Sequence, residues 1–501
     1  MTQGGAPTPG WTRRGLGAAL VGLARKSEAR VPGEFVDGSH AMGHKVRDRQ
    51  AFGGARQTVE APVVVVGGGI AGLSAAWRFD KRGFRDYVVV EMEDRAGGNS
   101  RWGQNEVTPY PWAAHYVPVP SGTGGLVREI MTDLGVFSGG KWEERYLCHS
   151  PQERLFIHGR WQEGLEPETS TAEDRRQAKR FQEMMREFEG SGEFAIPMET
   201  GKRRRSDLSR MTMSEWMKAQ RFDSETLLWF ADYACRDDFG SSLSTTSAWA
   251  GIHYHAARGQ RDDKGPLTWP EGNGWIVRRL LERVGARLRT GAFVHRIERN
   301  RTNWRVFAGP VEYRARAVVF AAPTYLAPYL IAGVPPPGIE YSPWLTANLT
   351  VDRWPDETGF APAWDNVIHR SPSLGYVVAT HQSLRTWNPR TVWTYYWPLS
   401  SMPPAAARRM LLEKDASYWI EAILTDLETA HPDIRRCVSR VDLMRMGHAM
   451  ARPSPGHLER TVRDLDGLYF ANSDLSGFSL FEEAQYRGVA AADKVLRRIS
   501  K

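Results

Sequence analysis

Cysteine and lysine are both scarce in this chain of 501 residues. The three cysteines are Cys148, Cys235 and Cys437. So few thiols exclude a disulfide framework, and their spacing excludes a C-x-x-C zinc or dithiol site. Only 11 of the 66 basic residues are lysine. A mean hydropathy of −0.47 and the lack of long apolar runs exclude a membrane protein built on spanning helices.

The remaining composition is typical of a soluble globular protein. Hydrophobic residues make up 41% of the chain and charged residues 25%, which excludes a disordered or collagen-like chain. At about 150 residues per domain we expect two to four domains. The net charge of +8 would by itself suit nucleic acid or an anionic membrane. Because basic and acidic residues are interleaved, we expect no nucleic-acid partner, whereas peripheral membrane contact stays open.

Residues 1–60 are rich in Gly, Pro, Arg and Ser and lack a sustained apolar period. We interpret them as an extension before the folded body. Within them, Arg13 and Arg14 precede a short, weakly apolar run at residues 15–24, which resembles a twin-arginine export signal. The resemblance implies a periplasmic location; without a functional signal the protein would be cytoplasmic.

The strongest pattern begins at residue 62. Residues 62–66 are a β-branched run of strand length and predict a buried parallel strand. Glycines in G-x-G-x-x-G spacing follow at residues 67–72, and small and apolar residues then predict a helix. A second apolar strand, residues 87–90, ends on Glu91, 19 residues after the last of these glycines. This order predicts a dinucleotide site of the Rossmann type.

The residues of this pattern have mechanical roles. Gly67 permits the tight turn, Gly69 lets the backbone approach a pyrophosphate, and Gly72 lets the helix pack closely on the strand. The helix start at Ile70–Ala71 then faces the phosphates. The carboxylate of Glu91 accepts hydrogen bonds from ribose hydroxyls.

The segment after the second strand decides between FAD and NAD. Residues 91–100, Glu-Met-Glu-Asp-Arg-Ala-Gly-Gly-Asn-Ser, resemble the E-x-x-x-R-x-G-G motif of the flavin amine oxidoreductase superfamily. In that superfamily the paired glycines place backbone against the FAD pyrophosphate, and the arginine lies beside it. The resemblance implies that FAD is bound here by Glu91, Met92, Arg95, Gly97, Gly98, Asn99 and Ser100.

Further segments are similar to later motifs of the same superfamily, in the same order: residues 111–116, 270–275, 293–297, 317–323, 467–474 and 482–488. Bacterial polyamine dehydrogenase-like proteins are the nearest resemblance within it. The additional FAD-binding residues that the resemblance implies are Ala113, Ala114, Val294, Ala322, Asn472, Ser473, Asp474, Glu483 and Ala484. No second strand–GxGxxG–helix unit occurs, so we expect the electrons to come from the substrate and not from NAD(P)H.

The resemblance implies an α/β fold in which a discontinuous Rossmann-type FAD-binding domain alternates with a mixed α+β substrate domain. The FAD-binding domain is predicted to comprise residues 61–145, 268–335 and 445–501. The substrate domain is predicted to comprise residues 146–267 and 336–444. Periodicity predicts helices at residues 172–189, 213–233 and 417–429 and strands at residues 345–351, 374–379 and 391–397.

The expected reaction is oxidation of an amine or polyamine, with hydride transfer from the α C–H to flavin N5. This chemistry needs a positioned neutral amine and little else from the protein. Aromatic walls exclude water and attract the amine through cation–π contact. The candidates are His115 and Tyr116 as catalytic residues and Trp249, Tyr254 and Phe481 as substrate contacts.

Carboxylates would fix the distal ammonium of a polyamine. Asp237 and Asp238 are the candidate substrate pair, and Glu482 and Glu483, which the C-terminal motif places against the flavin, are candidate catalytic residues. Charge matching at a helix N-terminus explains the second pair equally well. We predict no metal site, because the histidines within residues 253–255 have no adjacent acid or cysteine.

Two absences bear on how the flavin is held and reoxidised. No cysteine lies in the C-terminal flavin segment, so the cysteinyl–flavin link known in the superfamily is absent and FAD is predicted to bind non-covalently. Many superfamily oxidases carry a lysine on a substrate-domain strand, where it aids reaction with oxygen. The similar strand here, residues 344–350, has none. This favours a dehydrogenase that passes electrons to a quinone or carrier instead of O2.

Two alternatives stay open. One is a desaturase or protoporphyrinogen-oxidase-like enzyme, which would have the same fold but act on a large apolar substrate. The aromatic residues 393–397 suit such a substrate equally well. A flavin-binding protein that serves mainly as a scaffold is the other alternative. The sequence does not name the substrate, because the superfamily motifs are sparse in the substrate domain.

Overall fold

The computed structural model describes residues 30–36, 40–120, 125–169, 171–202, 206–258, 265–383 and 388–500. The segment that resembles an export signal lies outside these residues. The strands, in chain order, are β1 (Gln57–Glu60), β2 (Val63–Val66), β3 (Tyr87–Val90), β4 (Trp102–Gln104), β5 (Pro109–Pro111), β6 (Tyr116–Val117), β7 (Phe137–Ser138), β8 (Lys141–Trp142), β9 (Glu153–Ile157), β10 (Arg160–Glu163), β11 (Leu267–Thr268), β12 (Leu288–Arg289), β13 (Val294–Asn300), β14 (Asn303–Ala308), β15 (Val311–Ala315), β16 (Ala317–Phe320), β17 (Glu340–Val351), β18 (Asp365–Ile368), β19 (Tyr376–Val378), β20 (Thr391–Pro398), β21 (Val438–Arg452) and β22 (Leu468–Phe470).

The α-helices, in chain order, are α1 (His40–Arg47), α2 (Ile70–Lys81), α3 (Gly125–Asp133), α4 (Ala172–Gly190), α5 (Ser206–Arg210), α6 (Met213–Ala219), α7 (Glu225–Phe239), α8 (Ala248–Ala256), α9 (Gly274–Val284), α10 (Ala327–Leu330), α11 (Pro404–Glu413), α12 (Ala416–Leu427) and α13 (Phe481–Ile499). Within the described residues, no helix is long and apolar enough to cross a membrane.

Five parallel strands form the central sheet, in the order β12–β3–β2–β16–β22. β2 and β3 are apolar four-residue runs that are buried throughout, as expected of a parallel sheet covered on both faces. Helices α2, α9 and α13 pack on one face. The four-stranded sheet β1–β15–β14–β13 packs on the other. The predicted α/β fold with a Rossmann-type sheet is confirmed.

A seven-stranded sheet, in the order β10–β9–β18–β19–β20–β17–β21, is antiparallel except for the β9–β18 pair. Side chains alternate along β17. Leu345, Ala347 and Leu349 pack with α11 and α12, whereas Trp344 lies on the opposite face, in a cluster with Trp112 and side chains of α7. That second face therefore meets the loops of the central sheet.

The helix predicted over residues 213–233 is wrong as one element, because α6 ends at Ala219 and α7 begins at Glu225. Arg221 adopts a left-handed φ of 56°, which no α-helix accommodates. The Ser224 side chain then accepts a hydrogen bond from the Leu227 amide and starts α7. The apolar period continues across the break, since both helices face one cluster with α4 and α8.

The N-terminal prediction also needs correction, because residues 30–36 and 40–60 belong to the folded body. The Leu443 amide donates to Glu34 O and the Val36 amide to Leu443 O, each at 2.8 Å, so this segment pairs with the outer edge of β21. Farther on, β1 extends the four-stranded sheet beside β15. An open strand edge offers unpaired backbone groups, and hydrophobic periodicity does not reveal which segment covers them.

The two large sheets draw on alternating pieces of the chain. The central sheet takes β2 and β3, then β12 and β16, and finally β22. The seven-stranded sheet takes its strands from the intervening pieces. β21 continues to Arg452, so this sheet extends beyond the boundary predicted at residue 445.

Candidate active site

A cavity lies at the carboxyl end of the central sheet, the edge at which open α/β sheets bind nucleotides. Its lining includes the last residues of β2 and β3, Val66 and Val90, and the residues that follow β16 and β22. The residues predicted to bind FAD that line it are Gly67, Gly69, Ile70, Ala71, Glu91, Met92, Gly97, Gly98, Asn99, Ser100, Ala114, Val294, Ala322, Asn472, Ser473, Asp474 and Ala484. Those outside the lining are Gly72, Arg95, Ala113 and Glu483.

The glycine turn forms an open cradle at the start of α2. A Cβ added to Gly69 would meet Gly98 Cα at 3.8 Å and nothing nearer beyond its chain neighbours, so this position opens on the cavity. Gly69 caps α2 without a side-chain hydrogen bond, which leaves first-turn amides for an anion. Gly67, at φ 104°, takes a conformation that glycine alone adopts easily. A Cβ on Gly72 would lie 1.9 Å from Gly67 O. These residues fit a pyrophosphate.

Glu91 holds the glycine turn as well as facing the cavity. Its Oε2 accepts from the Gly68 amide at 2.7 Å and its Oε1 from the Glu93 amide at 2.9 Å. Burial raises the pKa of Glu91, and the two amide hydrogen bonds oppose that shift. Each oxygen keeps a second lone pair, so the carboxylate fits the ribose role while it orients the turn.

Arg101, which no motif marked, lies where a cation was predicted at Arg95. Arg95 is exposed and lies outside the cavity lining, whereas Arg101 is part of it. Arg101 Nε donates to Gly98 O at 3.1 Å, so its guanidinium lies against the paired glycines. The motif gives sequence order only, whereas the short 3₁₀ turn at Gly98–Ser100 brings Arg101, and not Arg95, to the glycines.

Asp474 is the most tightly held carboxylate of the cavity. It accepts from the Thr324 amide at 2.7 Å, from Thr324 Oγ1 at 2.5 Å and from Tyr341 Oη at 2.7 Å. Burial raises its pKa, and the Thr324 and Tyr341 donors oppose the shift. Sequence reasoning missed both donors, because they belong to a turn and to a strand of the other sheet.

Aromatic rings continue the site beyond Ala114. The His115 ring has its centroid 5.1 Å from Tyr116, 5.3 Å from Trp364 and 4.8 Å from Tyr396. Tyr396 Oη donates to Ala113 O at 2.8 Å. The sequence predicted His115 and Tyr116, but it did not identify Trp364 or Tyr396, which reach the site from the seven-stranded sheet.

His115 is a neutral imidazole in this wall. Burial lowers its pKa to about 4, against a smaller opposing effect of the Ala113 carbonyl. Its Nδ1 lies 3.2 Å from Ala113 O. The neutral ring therefore donates from Nδ1, and Nε2 is left as an acceptor.

The turn at residues 270–274 braces this wall. Gly272 adopts a φ of 57°, and a Cβ there would lie 2.7 Å from His115 Cα, so only glycine permits the close approach. The Asn273 side chain donates to Tyr116 O at 3.0 Å, and Thr268 Oγ1 donates to His115 O at 2.8 Å. The resemblance to a P-x-G-G turn thus marks a structural support for the site.

Two carboxylates lie close to the aromatic wall. Asp365 follows Trp364, and burial raises its pKa well above the usual value, with Glu153 and Asp237 adding to the shift. Asp365 nevertheless keeps some accessible surface. Asp237 also raises the pKa of Tyr254, after burial, and Asp365 likewise raises that of Tyr396. The predicted Asp237 and Tyr254 therefore lie, with Asp365, near the aromatic wall.

Two predicted substrate contacts are structural instead. Asp238 forms a buried ion pair with Arg258 at 2.7 Å, which satisfies its charge inside the protein. Trp249 is fully buried, and its Nε1 donates to Glu193 at 2.8 Å. Aromatic residues at helical spacing served here to pack α8 against its neighbours. Phe481, the remaining predicted contact, lines the cavity.

Glu482 and Glu483, predicted to act at the flavin, are buried at the start of α13 and are not part of the cavity lining. Glu483 Oε1 accepts from the Met198 amide at 2.5 Å, which ties α13 to a turn of the helical region. Burial raises the pKa of Glu483 to about 7. Its neighbour Ala484 does line the cavity, so the start of α13 reaches the cavity although the side chains of Glu482 and Glu483 do not.

The strand predicted to correspond to the lysine-bearing strand of superfamily oxidases is β17. Asn348 donates from Nδ2 to Pro111 O at 3.1 Å and accepts from Thr394 Oγ1 at 2.7 Å. Trp344 and Asn348 thus face the segment that carries the aromatic wall. Ala347 packs on the opposite face.

Comparisons with known proteins agree with this geometry. The model of the family described as "Flavin containing amine oxidoreductase" matches residues 70–496. The fold is similar to cyclohexylamine oxidase from Brevibacterium oxydans (TM-score 0.67, 15% identity, covering 88% of this chain and 100% of that chain). It is also similar to putrescine oxidase bound to putrescine (TM-score 0.66, 15% identity, 88% and 100%). It is similar as well to a putative protoporphyrinogen oxidase from Exiguobacterium sp. (TM-score 0.63, 15% identity, 89% and 100%). No curated protein matches.

Proposed function

The chain belongs to the family of flavin-containing amine oxidoreductases, and from this premise we propose that it oxidises an amine that carries a second cationic group. FAD is its cofactor, and the protein is an FAD-dependent oxidoreductase. One observation carries the proposed substrate class. The carboxylates of Asp237 and Asp365 lie near the aromatic wall around His115, which continues from the cavity assigned to FAD. We take the space between the wall and these carboxylates as the substrate recess.

The aromatic wall is suited to hold the reacting end of the amine. Bound FAD supplies the hydride acceptor, and the residues of the chain bind and orient the substrate. Tyr116, Trp364 and Tyr396 exclude water and offer ring faces to an ammonium before it loses its proton. His115, neutral through its lowered pKa, presents a lone pair to an amine N–H. This orients the α C–H without placing a competing cation in the recess.

The carboxylates are suited to the distal end. Without a cation nearby, burial keeps the pKa of Asp365 high, so its carboxyl group holds a proton. An ammonium within hydrogen-bonding distance favours the ionised form and lowers this pKa. Binding of a dication therefore releases a proton from Asp365 and forms a charge-assisted hydrogen bond in an enclosed site. A monoamine gains none of this energy.

The alternative substrates fit the recess less well. A large apolar substrate, as for a desaturase or a protoporphyrinogen-oxidase-like enzyme, would leave Asp365 and Asp237 buried without a cation, at a cost in free energy. A scaffold role gives no reason for an enclosed acidic recess beside the cofactor cavity. The putrescine complex among the similar structures is consistent with the proposal, although identity of 15% conveys only the fold.

An anaerobic reduction assay tests the proposal. Purified protein with FAD is mixed under argon with putrescine, with butylamine or with protoporphyrinogen, and bleaching of the flavin band is followed. We expect putrescine to bleach the flavin at concentrations at least about tenfold below those needed for butylamine, since one charge-assisted pair is worth about 1.5–3 kcal/mol. Bleaching by protoporphyrinogen alone would overturn the assignment to amines, and equal response to both amines would overturn the role of the carboxylates.

The electron acceptor is proposed to be a quinone or a carrier. On β17, the positions that face the aromatic wall hold Trp344 and Asn348, and no lysine lies between residues 265 and 413. A positive charge that would stabilise superoxide is therefore missing from the strand where related oxidases carry it.

A further inference from the structure

We propose that the surface formed by α1, α10 and α11, here named the acceptor face, docks a soluble acidic electron-carrier protein. Electrons reach it from the FAD cavity through His448 and Tyr325. The inference builds on the proposed function in one respect, namely that a carrier and not oxygen reoxidises the cofactor. It names the class of acceptor and the site at which it binds.

The wall between the FAD cavity and the outer surface of the protein is thin next to His448. His448 and Tyr341 line the cavity. The Tyr325 ring stacks on the His448 ring with centroids 4.3 Å apart and planes at 21°, and it lies 5.0 Å from the Tyr341 ring. His448 also lies within electrostatic range of His44, a partly exposed residue of α1. The stacked rings and α1 therefore separate this part of the cofactor cavity from the protein surface, and a partner bound outside α1 would come close to the cavity.

The elements outside this wall form one continuous face. α1 packs on α10, next to Tyr325. Burial, Arg408 and His44 together lower the pKa of His448, so side chains of α1 and α11 flank it. Arg408 also donates to Tyr341 O at 3.3 Å.

A small apolar patch lies on this face. The large hydrophobic side chains that are most exposed in the described residues are Val36, Tyr329 and Leu412, at 40%, 50% and 49%. Tyr329 belongs to α10, and Leu412 lies one turn after Arg408 on α11. Val36 follows Phe35, over which the Arg445 guanidinium lies at 4.0 Å, and the same guanidinium donates to Leu411 O, next to Leu412, at 3.4 Å.

Cations surround the patch. Lys45 and Arg409 are exposed, and neither forms an ion pair with another described residue. Of the nearby acids, Asp48 is neutralised by Arg47 at 2.7 Å, and Glu340 pairs with Arg452 at 3.1 Å. Glu413, at the end of α11, is exposed, but it is outnumbered by Lys45, Arg408 and Arg409. The acceptor face is therefore positive, and its partner should be acidic, because complementary charge steers encounter and fixes orientation.

The dimensions favour a carrier protein over a membrane. Electron-transfer partners form small, weak interfaces, for which a few exposed apolar side chains near exposed cations suffice. A helix that lies in a lipid interface needs a broad apolar face. α1 has eight residues, of which Val46 alone is buried, and its exposed side carries charge. Oxidation of one amine provides two electrons, so two one-electron carriers are reduced in turn, and the protons go to water.

Reoxidation kinetics test the acceptor face without needing the correct amine. The FAD-loaded protein is reduced by dithionite titration under argon and then mixed with ferricyanide, with hexaammineruthenium(III), or with an acidic blue-copper protein. The test variant is Lys45→Glu/Arg409→Glu. The control is Arg82→Glu/Arg497→Glu, which changes the net charge equally at exposed positions near the C-terminal end of α13.

We expect the test variant to slow reoxidation by ferricyanide and by the blue-copper protein about tenfold at low salt, a common size for electrostatic steering. Hexaammineruthenium(III), a cation, should react faster with it, and high salt should remove these differences. The control should behave like wild type.

Equal effects of the two variants, or none at Lys45 and Arg409, would overturn the proposal. Sedimentation of the wild type, but not of the test variant, with phosphatidylglycerol vesicles would assign the face to a membrane instead. The proposed function fails separately: no amine bleaches the flavin, while dithionite-reduced protein still shows the charge dependence.

Discussion

The rings of His115 and Tyr396 face each other with centroids 4.8 Å apart, although the two residues lie 281 positions apart in the chain. His115 belongs to the loop that leaves the FAD cavity, and Tyr396 to β20 of the seven-stranded sheet. The hydrogen bond from Tyr396 Oη to Ala113 O fixes this contact. The proposed substrate recess therefore lies where the two sheets meet, and we expect its specificity to depend on residues from the seven-stranded sheet.

Replacement of Asp365 by Asn should separate binding of diamines from binding of monoamines. The variant loses the charge that holds the distal ammonium but keeps the shape of the side chain. We expect the concentration of putrescine that half-bleaches the flavin to rise about tenfold or more, with little change for butylamine. Anaerobic titration of wild type and variant measures both values.

The same substitution should stabilise the protein at neutral pH. The folded-state pKa of Asp365 is raised, so the folded protein holds a proton that the unfolded chain releases, and stability falls as pH rises above the unfolded pKa. Because asparagine does not titrate, the Asp365→Asn variant does not lose stability in this way. Its free energy of unfolding should exceed that of the wild type by about 1–2 kcal/mol. Asp238→Asn is the matched control: it leaves Arg258 buried without its partner and should destabilise by about 3 kcal/mol. Denaturant unfolding at pH 7.5 compares the three proteins.

Replacement of Gly69 by Leu should give colourless protein. The side chain would enter the open cradle at the start of α2, where the pyrophosphate is expected, and nothing else would have to move. Gly190→Leu, at an exposed position with no neighbour within 4 Å, should stay yellow. Acid should release intact FAD from the wild type. Stoichiometric FAD in the Gly69 variant would show that this loop does not hold the pyrophosphate.

The sequence allowed much of the lining of the cavity assigned to FAD to be predicted, and little of the candidate substrate site. A few glycines and one acid are enough to predict the cofactor cavity from sequence, because local backbone geometry determines their roles. Gly69 and Glu91 are examples. Arg101 was missed, since a short turn and not a motif places it. No local pattern marks Asp365, Trp364 and Tyr396, because apolar and polar residues alternate along a strand in the same way whether or not the strand borders a binding site. Asp238 and Trp249 were predicted as substrate contacts from their residue types alone. Their partners Arg258 and Glu193 are distant in sequence, so the structural roles of both residues could not be predicted.

Glu483 should make stability depend on pH. Burial raises its folded-state pKa to about 7, above the unfolded value of about 4.3. Its proton is therefore retained on folding between these values, so the stability contribution is complete below the unfolded pKa and is lost as pH rises toward 7. Glu483→Gln keeps an acceptor for the Met198 amide and removes the titration. The difference in unfolding free energy between variant and wild type should grow by about 3 kcal/mol between pH 4.5 and 7.5. A constant difference would show that Glu483 is ionised in the folded protein.

Reduced protein should react slowly with oxygen. The first electron transfer to O2 is helped by a positive charge that stabilises superoxide, and β17 directs Trp344 and Asn348, both neutral, toward the aromatic wall. Rapid mixing with air-saturated buffer should reoxidise the flavin far more slowly than ferricyanide does at equal concentration. Asn348→Lys, which introduces the charge on the correct face, should raise the oxygen rate; Ala347→Lys would place it among α11 and α12 and is not a useful test. Fast reoxidation of the wild type, with hydrogen peroxide formed in proportion to substrate, would mean that another cation serves the role, and Arg101 beside Gly98 would be the first to replace.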